Sequence, residues 1–203
     1  MRAVATARPT ARTIMRRPMQ AGPMSDEASG DTDPVISETE LDWEEYDHGD
    51  RCFRRKQLGA AAGSEELGTS LYEVEPGDRT WPRHYHAGNE EAIFVLDGEL
   101  RLWLGHDAAD DEGESEAETE HALEPGDYVA LPSGPDHAHE VEAVGDEPAR
   151  FLVVSTMNEP DMSVLVERDA AMLFGGGAPG NYDDRYLSKT VDLDAEVDYW
   201  DGE

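Results

Sequence analysis

The chain has 203 residues and a formal net charge of −31, from 47 Asp+Glu against 16 Lys+Arg. A surface this acidic repels nucleic-acid phosphates and anionic lipid headgroups, which argues against both as direct partners. No apolar run approaches the ~18 residues that a membrane-spanning helix needs, and the single cysteine, Cys52, permits no internal disulfide and suits a reducing compartment.

Residues 1–24 hold five arginines and no acid, leaving 47 acids against 11 bases, a charge of −36, in residues 25–203. An Arg-rich, acid-poor start resembles an organellar transit sequence. The reading preferred here is either a mis-assigned start, with translation beginning at Met24, where the acidic bias sets in at once, or a disordered leader, and in both cases these residues lie outside the fold. Residues 25–50 are polar and acidic and read as a mobile arm, with at most a short ordered stretch around Leu41–Tyr46. Domain boundaries are therefore placed at 1–50 for the leader, 51–166 for a β-barrel and 167–203 for a C-terminal extension packing on the barrel or on a partner subunit.

From Cys52 onward short runs succeed one another between Gly and Pro: CFRRKQL, TSLYEVEPG, TWPRHYH, EEAIFVLDG, ELRLWLG, HALEPGDYVALPSG, HAHEVEAV and ARFLVVSTM. Their alternation and spacing predict an all-β antiparallel barrel or sandwich. EAIFVL and ELRLWL flank Asp97-Gly98, a pair suited to the positive φ of a type I′ turn, and predict a hairpin. Residues 105–121 carry eight acids and no Lys or Arg and read as a solvated loop; they lack the ligand spacing of an EF-hand calcium loop. GGGAPGN, in the tail, excludes regular structure there, and Tyr199 and Trp200 near the end imply docking of the terminus.

His84 and His86 are two apart in a strand-like run, so both imidazoles project from one face, and Glu91 follows five residues later. Two imidazoles and a carboxylate suit a transition metal rather than Ca or Mg, which prefer oxygen ligands. Ile93, Val95 and Val141 share the ligand phase and predict an apolar interior. Arg83 and Tyr85 alternate outward, while Tyr72, Trp81, Trp103 and Tyr128 are candidates for the mouth or for packing. No G-x-S-x-G, P-loop or dinucleotide fingerprint is present.

Gly77-x6-His84-x-His86-x4-Glu91-x6-Gly98 resembles the first motif of the cupin superfamily, with one residue more than the family form between the glycine and the first histidine. Gly126-x5-Pro132-x-Gly134-x2-His137 resembles the second. The resemblance covers roughly residues 68–156. It implies a small antiparallel double-stranded β-helix, or jelly-roll barrel, with irregular N- and C-terminal extensions. It also implies one divalent transition metal (Mn, Fe, Zn, Ni or Co) held by His84, His86, Glu91 and a third histidine. Glu90 is the rival carboxylate, but only Glu91 keeps the spacing to Gly98. The fourth ligand stays open: counting from Pro132-x-Gly134 selects His137, and counting back from the turn at Gly145–Pro148 selects His139, which is preferred. Catalytic residues beyond these are not named by the resemblance.

Cupins span many chemistries, so the fold cannot choose among them. The leading expectation is a metal-binding cupin enzyme acting on a small polar metabolite, by sugar-type isomerisation or oxygenase-like chemistry. The alternative is a non-catalytic small-molecule sensor in which metal orders the site. A small-molecule ligand and pairing into a homodimer complete the expected partners. The charge itself, spread over the whole chain rather than gathered in one tail, is best explained by a halophilic prokaryote's cytoplasm, where salt screens self-repulsion.

Overall fold

The computed structural model describes residues 33–105, 118–180, 182–195 and 200. The arginine-rich leader, Tyr199 and residues 106–117 of the acidic loop, with the calcium question attached to that loop, lie outside the described residues.

Thirteen strands carry the described fold: β1 (Glu44–Asp47), β2 (Cys52–Gln57), β3 (Gly68–Val74), β4 (His84–His86), β5 (Glu91–Asp97), β6 (Glu99–Leu104), β7 (Thr119–Leu123), β8 (Tyr128–Leu131), β9 (His139–Val144), β10 (Ala149–Ser155), β11 (Asp161–Leu165), β12 (Ala170–Gly175) and β13 (Leu187–Asp192). Among the described residues the α-helix is confined to Leu58–Ala61, one turn long. The strands form two antiparallel sheets, one ordered β1-β2-β3-β10-β5-β8 and the other β13-β12-β11-β4-β9-β6-β7. This is a jelly-roll barrel, all-β as the alternation predicts.

The strands differ from the sequence expectation at Asp97-Gly98. β5 and β6 do not form a hairpin: β5 pairs with β10 and β8, whereas β6 pairs with β7 and β9. The two residues turn the chain from one sheet to the other. Gly98 does need its positive φ of 73°, but also for lack of room, since a Cβ there would sit 2.6 Å from the Ala149 Cα. A local turn signal cannot tell a hairpin from a corner, because both ask the same of φ.

Inward positions of both sheets meet in one core that includes Phe53, Tyr72, Val74, Ile93, Val95, Leu100, Leu102, Val141 and Phe151. Val95 and Leu100 are completely buried. At one side of this core Phe53 stacks on Tyr46 with ring centroids 4.6 Å apart, and Trp81 meets both edge-on. The N-terminal arm reaches the barrel through Glu38, whose backbone carbonyl and side chain accept from Lys56 Nζ at 2.6 and 2.7 Å.

Past Pro160 the chain does not stay irregular. β11 continues the second sheet beside β4, β12 and β13 follow in antiparallel register, and residues 176–180 lie between the last two outside any strand. These strands hold five or six residues each, and β12 includes two alanines and a glycine. Such residues give a weak strand signal, and pairing with an already formed neighbour supplies what local preference does not.

Candidate metal centre

β4 and β9 lie side by side with His84 opposite His139, so the two imidazoles share one face of the second sheet. Their ring centroids are 4.7 Å apart, and His86 stands 5.3 Å from His84. Glu91 opens β5 in the facing sheet and therefore reaches across the barrel interior rather than from an adjacent strand. Among the described residues, His84, Glu91 and His139 form a group able to hold a metal ion, their ligand atoms all within 4.8 Å of one another. His86 falls outside that trio but not away from it, since its Nε2 lies 3.6 Å from the same Glu91 Oε2 that is 3.4 Å from His139 Nε2.

Each ring is held by its far nitrogen. His84 Nδ1 donates to the Pro82 carbonyl at 2.8 Å, and His139 Nδ1 to the His137 carbonyl at 3.0 Å. His86 Nδ1 meets the Asp161 carboxylate at 2.5 Å. A proton kept on Nδ1 leaves Nε2 as a lone pair, which is how the second shell of a metal site fixes its histidines. Three imidazoles so prepared, converging on one carboxylate, match the donor set of a divalent transition metal.

At His84 and Glu91 the electrostatics agree with that form. Burial, then the charge of the neighbouring His139, push His84 down to about 3, so its ring stays neutral at physiological pH. Burial would raise Glu91, but the His139 hydrogen bond and the fields of His86, His139 and His84 outweigh it and hold the carboxyl at about 2. For His86, burial is overcome by the Asp161 hydrogen bond and by the charges of Glu91 and Asp161, and its affinity for a proton rises.

The other sequence candidates separate. Glu90 is exposed, and its backbone N–H donates to Thr156 Oγ1. His137 ends a 3₁₀ turn, Pro135–His137, where its carbonyl serves His139 while its own ring stays out of the group. Ile93, Val95 and Val141 are buried at 3% exposure or less. Arg83, expected to point into solvent, is buried against the chain leading into β7, where it pairs with Glu118. Tyr72 is buried and accepts the Trp81 indole N–H at 3.0 Å, whereas Tyr128 is exposed. Trp103 takes Arg79 and Arg101 on its ring.

Sequence reasoning missed two groups. Asp161 sits in β11 with no motif around it, and only the pairing of β11 with β4 brings it to His86. Arg55 lies opposite Tyr72 on the inward face and reaches Tyr46 Oη at 2.7 Å and Glu44 Oε2 at 2.8 Å. The phase Phe53, Arg55, Gln57 could have pointed inward, since Phe53 is a core residue.

Residues 70–155 match the family described as the cupin domain. That match supports the cupin superfamily for this chain. The fold is also similar to two solved structures. One is described as a candidate sugar phosphate isomerase from Acidithiobacillus ferrooxidans, with 22% identity over 81% of this chain and 96% of that one and a TM-score of 0.62. The other is a cupin-superfamily sugar phosphate isomerase from Silicibacter pomeroyi, with 24% identity over 83% of this chain and 98% of that one and a TM-score of 0.60. At these identities the likeness is one of fold. No curated protein gives a match.

Proposed function

We propose that this protein is a metal-dependent cupin enzyme that isomerises a small polar metabolite of the sugar or sugar-phosphate type. The observation that carries the reading is the convergence of His84, His86, Glu91 and His139 inside the barrel, with every histidine tied at Nδ1. In this reading the three Nε2 atoms and a Glu91 oxygen hold one divalent ion of the Mn, Fe, Zn, Ni or Co class. When bound, the ion acts as a Lewis acid on substrate oxygens. The carbonyls of Pro82 and His137 and the carboxylate of Asp161 keep the rings aimed, and Ile93, Val95 and Val141 keep water out beneath them. The two similar structures named as sugar phosphate isomerases favour this substrate class over oxygenase chemistry, and their coverage extends over most of this chain.

The same reading takes the acidic surface as an adaptation to a salty cytoplasm and takes a homodimer as the working unit. Phe94 and Tyr128, opposite each other across β5 and β8, are exposed together with Leu96 on one outer face, which suits a second copy. The test of function is turnover by the metal-loaded protein in molar salt. Aldose and ketose phosphates incubated in D₂O should interconvert with deuterium entering at the carbon next to the carbonyl. Binding of such a compound with no conversion would sink the enzyme reading in favour of a sensor cupin.

A further inference from the structure

β11 lies beyond residues 70–155, the part of the chain that matches the cupin domain, yet it delivers a carboxylate to the centre. We propose that Asp161 is a positioning residue that fixes His86 for metal binding, so that the strand added to the barrel is part of the site. This inference rests on the metal reading above.

The Asp161 side chain is completely buried, and both of its oxygens are engaged. Oδ2 faces His86 Nδ1 at 2.5 Å, and Oδ1 accepts the Gly88 backbone N–H at 2.9 Å. A buried carboxylate bonded at both oxygens is fixed in orientation, because turning it would break its bonds to the Gly88 N–H and to His86 together. Its acceptor oxygen holds the His86 proton on Nδ1 and leaves Nε2, the nitrogen facing Glu91, with a free lone pair. Ser163, two residues along β11, is the register partner of His86, so the strand pairing itself sets the approach. Gly88 belongs to the arrangement, since a Cβ there would lie 3.1 Å from Asp161 Oδ1. His84 and His139 are held by backbone carbonyls, and His86 alone of the three by an ionisable side chain. Among the described residues that hold these three rings, Asp161 is therefore the one clamp that a side-chain substitution can remove.

Asp161→Asn is the informative change, because an amide has one acceptor oxygen where the carboxylate uses two. If the oxygen keeps Gly88, the amide NH₂ confronts His86 Nδ1 and drives its proton to Nε2, where metal must bind. If the oxygen keeps His86, the NH₂ confronts the Gly88 N–H. Full-length protein in molar salt is titrated with Zn(II) alone against a chromophoric chelator, and the metal-free His86 tautomer is read by ¹⁵N NMR. Wild type should bind Zn(II) with His86 in the Nδ1–H form. Asp161→Asn should lose about 10- to 100-fold in affinity, the usual cost of removing a second-shell partner, with the tautomer shifted toward Nε2–H. Asp146→Asn removes the same charge from an exposed turn and should leave affinity and tautomer unchanged. Gly88→Ala keeps every charge but crowds the carboxylate, and should lower affinity in the same direction even where Asp161→Asn fails to fold. Wild type that binds Zn(II) while Asp161→Asn and Gly88→Ala bind it within about twofold as well, with the tautomer unmoved, would overturn the role of Asp161 and leave the metal reading standing. Wild type that binds no Zn(II) would overturn both.

Discussion

The inward faces of β5 and β9 each run through two kinds of chemistry within five residues. On β5 the sequence of inward positions is Glu91, Ile93, Val95, and on β9 it is His139, Val141, Ala143. The outer layer is ionisable and converges on a point; the layer beneath is apolar and nearly inaccessible. The backbone, the sheet and the phase are the same in both layers, so side-chain identity alone divides a site from a core. The lower layer excludes water and holds the strands together, and the upper layer uses the rigidity this provides.

Substitutions in the two layers should therefore fail in different ways. The largest effect is expected at the ligands: His86→Ala should remove most of the bound metal, measured by elemental analysis, while the barrel still melts cooperatively. Unchanged stoichiometry would take His86 out of the ligand set. In the apolar layer, Leu102→Ala deletes a side chain that is 1% exposed and should cost about 2–5 kcal/mol in denaturant unfolding, with metal stoichiometry retained. A Leu102→Ala protein as stable as wild type would mean that the lower layer is not the structural one.

Salt should act on the whole molecule rather than on either layer. The net charge of −31 makes the compact state repel itself, so the melting temperature should fall steadily as KCl is lowered from molar to millimolar concentration. A melting temperature that ignores salt would contradict the halophilic reading.

Acid should act on the upper layer. His84, held at about 3, resists protonation when folded, so its contribution is present above the unfolded histidine value near 6.5 and is lost as pH falls toward 3. Glu91, held at about 2, adds a contribution that is present above 4.5 and lost as pH falls below it. His86 works the other way, since its raised value favours the folded state at low pH and is lost as pH rises. The metal-free protein should thus lose stability between about pH 6 and 3, and His84→Ala should flatten that slope in a melting series. An unaltered slope in His84→Ala would remove the buried neutral imidazole from the account.

The barrel was legible because alternation over residues 53–155 is strong and the turns are marked by Gly and Pro. His84, His86 and Glu91 were readable as a cluster because strand phase and fixed spacing place them together in sequence. Asp97-Gly98 predicts a hairpin and yet forms a corner, because a φ requirement does not say which sheet the next strand joins. Asp161 was invisible for a different reason: it is 75 residues from its partner His86, and only the register of β11 against β4 joins them. The three strands after Pro160 carry too little periodicity to announce themselves, and they form by adding to an edge that the barrel already presents.

The central claim is that four side chains on opposing sheets hold one metal ion. Elemental analysis of the protein purified in molar salt tests it most directly. The account predicts about one transition-metal equivalent per chain in wild type, released by chelation and largely missing from His86→Ala. Less than about a tenth of an equivalent in wild type, even after incubation with each candidate metal, would contradict it.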